Sequence, residues 1–169
     1  MTMFELKKIR AAAIPRSIEK AERYRLINDP RAAESICHDI LATDPTNQRA
    51  LHDLVLALTD QFSGESAELA KRAHEALAKV TSPYERSYYA GVISERRATA
   101  KIASGVPGAG FIAYEWLREA MEHYEAAEKL RPDGNDDAVL RWNSCARLID
   151  SRTDLRPGPT HRAEAVIGE

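Results

Sequence analysis

The chain has 169 residues, with 24 Lys+Arg against 26 Asp+Glu and a formal net charge of -2, a length suited to a single domain with one substantial core. With 30 % charged residues, a mean hydropathy of -0.45 and no apolar run near the ~18 to 20 residues of a membrane-spanning helix, no membrane association is expected. The near-neutral balance also argues against nucleic-acid binding by bulk charge, which needs a clear basic excess.

The elements follow in chain order from helix-forming composition and local punctuation. The 27 Ala, 14 Leu and 11 Ile stand against 6 Val, and Ala and Leu favour helices where β-branched residues favour strands. Residues 1–13 form an N-terminal extension with Lys7, Lys8 and Arg10. It lacks the ~7 to 15 residue apolar core of a signal peptide, and a cytoplasmic location is expected. Pro15 opens a first helix that reaches Ile27. Asn28-Asp29-Pro30 turns the chain, with Asp29 as cap and Pro30 at the first position of a second helix through Thr43. Asn47 caps a third helix carrying Leu51, Leu54, Val55 and Leu58, and a fourth runs from about Glu65 to Val80.

Ser82-Pro83-Tyr84-Glu85 is the strongest start signal: a cap, a proline at the first helical position, and a glutamate placed to complete a capping box. The fifth helix reaches Ser104, and the glycine segment 105–110 (GVPGAG) is expected to be a loop. A sixth helix spans Phe111 to Leu130, and a seventh runs from Asp136 to Ser151. Residues 153–169, rich in Pro and Gly, are expected to form a flexible tail. No segment alternates strictly, so no sheet is predicted.

A repeat appears on overlay. Ala33-x3-Cys37-x2-Ile40-x4-Pro45 and Ala120-x3-Tyr124-x2-Ala127-x4-Pro132 have identical spacing, and Asn47 with Ala50 recurs as Asn135 with Ala138. Leu51 returns one step displaced as Leu140. This pattern resembles the tetratricopeptide repeat family, whose helix–turn–helix unit carries small residues, aromatics and a closing proline at these spacings. The first unit adds Ala21 at a small site and Tyr24 at an aromatic one, but has Ser17 and Lys20 where the family has bulkier or smaller residues. The intervals from Pro45 to Pro83 and from Pro83 to Pro132 exceed one standard repeat. The resemblance covers residues 14–152. It implies an all-α, right-handed α-solenoid of about three helical hairpins plus a C-terminal capping helix.

The chemistry-bearing residues point the same way. Cys37 and Cys145 lack C-x-x-C spacing and fall in apolar helical stretches, as buried small hydrophobes do. The five histidines form no ligand pair on one helix face, so no metal site and no cofactor is expected. The 105–110 segment lacks the Gly-Lys-Ser/Thr of a phosphate loop, no nucleophile elbow is present, and no enzyme is predicted. Glu95-Arg96-Arg97 reads most simply as a solvated helix face, and Tyr84 with Tyr88 as core.

The resemblance implies a protein or peptide partner bound in a concave groove lined by leading helices, as in an adaptor, assembly factor or chaperone-like protein. By position, the candidate groove residues are Glu22, Arg25, Arg49, His52, Asp53, Tyr89 and Arg96. Ile18, Glu22 and Asp53 occupy places where some family members grip a C-terminal carboxylate, and acidic groups there would repel one. The alternative is a helical enzyme or small-ligand protein with its pocket beside the glycine segment.

Overall fold

The computed structural model describes residues 3–159. Among them are seven α-helices, a 3-10 turn at Ala11–Ala13 and no strand. Local chemistry sets most of the boundaries. Helix α1 (Ile14–Leu26) carries Pro15 in its first turn, and Asn28 closes it with a left-handed φ of 62° while Asp29 N–H donates to the Tyr24 carbonyl at 2.8 Å. Asp29 then caps α2 (Pro30–Thr43) by accepting from Ala32 N–H at 3.2 Å, and Asn47 caps α3 (Gln48–Thr59) by accepting from Ala50 N–H at 2.9 Å. These side chains satisfy amide donors that a helix start leaves open. Helix α4 (Ala67–Leu77) is shorter at both ends than expected.

Ser82 caps α5 (Pro83–Ser104), its Oγ accepting from Glu85 N–H at 3.3 Å. The second half of the expected capping box is missing, because the Glu85 carboxylate turns to His52 on α3. The connection to α6 (Ala109–Leu130) is also shorter than the expected 105–110 loop. Gly105 and Gly108 take left-handed φ values of 64° and 80° and close the turn, while Gly110 is already helical. Gly110 is needed for clearance instead: a Cβ there would lie 2.4 Å from the Asp154 carbonyl oxygen. Helix α7 (Asp137–Ser151) follows a link in which Asn135 Oδ1 accepts from Asp137 N–H at 3.0 Å and from Tyr84 Oη at 3.3 Å.

Each helix packs on the next, most extensively α5 on α6, and α3 also packs directly on both α1 and α5. Two apolar clusters result. One joins α1 to α4 with Ile93 of α5; the other joins α5, α6 and α7. Tyr89 touches both, so α5 is the wall between them. Small residues let the helices approach: Ala21, Ala33, Ala120 and Ala127 have no exposed surface. Gly91 on α5 also permits a close helix approach: a Cβ there would sit 2.5 Å from the Tyr124 ring of α6.

Packing also continues past the boundary placed at residue 153. Leu155 is 4 % exposed and belongs to the second cluster, next to an exposed local ion pair between Arg152 and Asp154 at 2.9 Å. Leu155 thus packs on the helices from within the stretch assigned to the tail, and residues 160–169 lie outside the described residues. Among the described residues, no helix is long and apolar enough to cross a membrane.

Candidate functional site

Helices α1, α3 and α5 meet side by side, and all seven candidate groove residues project from them. The structure sorts them into two groups. Arg25 and Arg96 converge on Asp60 at the end of α3: Arg25 Nε donates at 2.8 Å and Arg96 Nη1 pairs with the other carboxylate oxygen. Arg96 also donates to Thr59 Oγ1 at 2.7 Å. These arginines tie three helices together and are largely covered, with side chains 19 % and 26 % exposed. Asp60 was not among the expected residues, because its role depends on two partners distant in sequence.

The second group contains Glu22, Arg49, His52, Asp53 and Tyr89, joined by Glu85. Arg49 Nη2 donates to Glu22 Oε1, which holds the guanidinium above its ordinary pKa. Its Nε stays 3.8 Å from Asp53 Oδ2, one helical turn along α3. That distance is outside hydrogen-bond range. Asp53 is 4 % exposed and its Oδ2 has no hydrogen-bond partner. Burial pushes its carboxyl up to about 6, against the lowering influence of Arg49. His52 stacks on Tyr89 with ring centroids 5.1 Å apart. Glu85 Oε2 lies 2.9 Å from His52 Nε2 but out of line for a hydrogen bond, so this buried nitrogen also lacks one. Burial raises the Tyr89 phenol to about 12, with Glu85 adding to the effect.

A further network extends along α5. Glu95 accepts a hydrogen bond from Tyr124 Oη and faces Arg141 of α7, whose Nη1 lies 3.4 Å from each carboxylate oxygen. Burial first, then Glu95, drives the Tyr124 phenol far above its ordinary pKa, so it stays a donor. Arg97 lies 4.3 Å over the Trp116 ring, a cation–π geometry. The run Glu95-Arg96-Arg97 is thus not a solvated face: all three side chains bind across to other helices. Tyr84 and Tyr88 stack at 5.9 Å and pack against the second cluster.

Both thiols are buried, and burial pushes each up to about 12, which suppresses the reactive thiolate. Among the described residues, no three His, Cys, Asp or Glu side chains converge to hold a metal ion. The space beside the glycine turn is a cavity of about 280 Å³ next to Phe111, Arg152 and Arg156. A larger one of about 760 Å³ opens between α6 and α7 around Glu125, Lys129 and Trp142. Comparison with known proteins finds no counterpart: no family model, no curated protein and no solved structure matches the chain.

Proposed function

We propose that the chain is a non-catalytic interaction module, an adaptor, assembly factor or chaperone-like protein, that binds a peptide or protein on the shared face of α1, α3 and α5. In this reading the helices form about three tetratricopeptide-like hairpins in a right-handed α-solenoid, closed by α7. Support comes from burial at the repeat positions: Ala33, Cys37 and Ile40 in α2, like Ala120, Tyr124 and Ala127 in α6, have no exposed surface. Repeat packing requires such a register, with small residues at helix contacts and large ones between neighbours.

One observation carries the functional part. Side chains from three helices that do not follow one another in the chain form a continuous polar and aromatic face, and two of its buried atoms, Asp53 Oδ2 and His52 Nε2, lack hydrogen bonds. Buried polar atoms are nearly always satisfied in folded proteins, and an exception calls for an explanation; a donor supplied by a partner is the one proposed here. The test is photo-cross-linking in extracts of the source cell, with the reactive group placed at Arg49 or Tyr89 and, as control, at exposed Lys71 on α4. A discrete adduct from positions 49 and 89 but not 71 is the expected result. Adducts from position 71 alone would contradict the assignment.

A further inference from the structure

The chemistry of the face also specifies what it takes. Around Asp53, the carboxylates of Glu22 on α1 and Asp53 on α3 face the one guanidinium of Arg49, while Glu85 on α5 pairs with the neighbouring His52. Arg25 acts on Asp53 from α1, but its own hydrogen bond goes to Asp60. The Asp53 side chain is 6 % exposed, and Oδ2, an acceptor with no donor, points into this cluster. Leaving an acidic oxygen buried without a donor is costly, and a charged donor is the strongest remedy. Tyr89, stacked on His52, adds an aromatic face beside the carboxylates, and aromatic faces attract cations.

We propose that this cluster is a receptor for a cationic side chain, a lysine or arginine of a partner peptide, whose N–H donors complete Asp53. The inference rests on the interaction-module reading and narrows the partner to a basic segment. Arg49 occupies the position imperfectly. Its side chain is 60 % exposed, it is drawn to Glu22, and its Nε stops 3.8 Å short of Asp53 Oδ2. An incoming cation displaces it into solvent, where a long exposed side chain is readily accommodated. Arg49 is therefore a competitor of the ligand and not one of its contacts.

That relation gives the test an unusual sign. The ¹⁵N-labelled full chain is titrated with short Gly/Ser peptides carrying two adjacent arginines, two lysines or two glutamates, and amide shifts are followed by NMR. The basic peptides should shift the amides around Glu22, His52, Asp53, Glu85 and Tyr89, and the glutamate peptide should not. Asp53→Asn, which keeps the shape but removes the charge, should weaken the basic peptides about tenfold or more. Arg49→Ala should strengthen them severalfold, whereas a face built for acidic ligands would lose affinity. Glutamate peptides binding as well as basic ones, an unchanged Asp53→Asn, a weaker Arg49→Ala, or no shift with any peptide would each overturn the proposal. If cross-linking from positions 49 and 89 still captures a partner in that event, the module reading stands and only the cationic specificity falls.

Discussion

Asp53 is a buried acid whose environment disfavours its charge, and the sign of its effect on stability follows. The folded chain holds the Asp53 proton up to about pH 6, while the unfolded chain releases it near the ordinary value of 3.8. Folding therefore takes up a proton between those limits, and this group's contribution falls as pH rises from about 4 through about 6. Above that window Asp53 weakens the fold, so Asp53→Asn should be more stable than the parent by about 1 to 2 kcal/mol at pH 7.5, after allowance for the unsatisfied amide. The advantage should vanish near pH 4. Urea denaturation of both proteins at the two pH values checks this; an equal difference at both would show that burial of the charge is not the cause. Tyr124 illustrates the opposite case, a satisfied buried group. Its hydroxyl donates to Glu95, and Tyr124→Phe should cost about 1.5 to 3 kcal/mol, the range for hydrogen bonds to charged acceptors. An unchanged melting curve would show that Arg141 alone suffices for Glu95.

At the scale of elements, the pairing of α5 with α6 dominates, and it depends on Gly91. A methyl group added there would meet the Tyr124 ring at 2.5 Å, well inside contact distance, so Gly91→Ala should destabilise by ~1 to 3 kcal/mol through overpacking. Ala120→Leu, at a helix contact with no free surface, should cost a similar amount. Thermal melts of both variants are the measurement, and parent-like curves would mean that these helices have room to separate. Helix starts were legible in the sequence because capping is local: Asp29, Asn47 and Ser82 each serve amides three residues away. The fate of Glu85 was not, since a capping box and a cross-helix partner were both within its reach and only His52 decided between them. Gly110 misled for a related reason. Its glycine answers to Asp154, brought back over α6 by the fold, and nothing in the neighbouring sequence announces that approach.

For the whole molecule, composition and punctuation were enough to predict an all-helical chain, and the seven helices lie near their expected places. The candidate face was only partly legible. Positions on α1, α3 and α5 came from the repeat spacing, but their division into a structural tie at Asp60 and an unsatisfied centre at Asp53 depends on side-chain reach across helices. The same holds for Glu95, whose partners Tyr124 and Arg141 lie on two other helices. The central claim is that the α1–α3–α5 face binds a partner, and titration calorimetry with the cross-linked partner, once isolated, tests it most directly. The comparison is between the parent, Tyr89→Leu and the control Lys71→Ala, with circular dichroism to establish equal helix content. Tyr89→Leu keeps apolar bulk against both clusters while removing the aromatic face. It should weaken binding about tenfold or more, as truncation at a binding hot spot does, and Lys71→Ala should bind as the parent does. Parent-like affinity in folded Tyr89→Leu, or a loss confined to Lys71→Ala, would contradict the account.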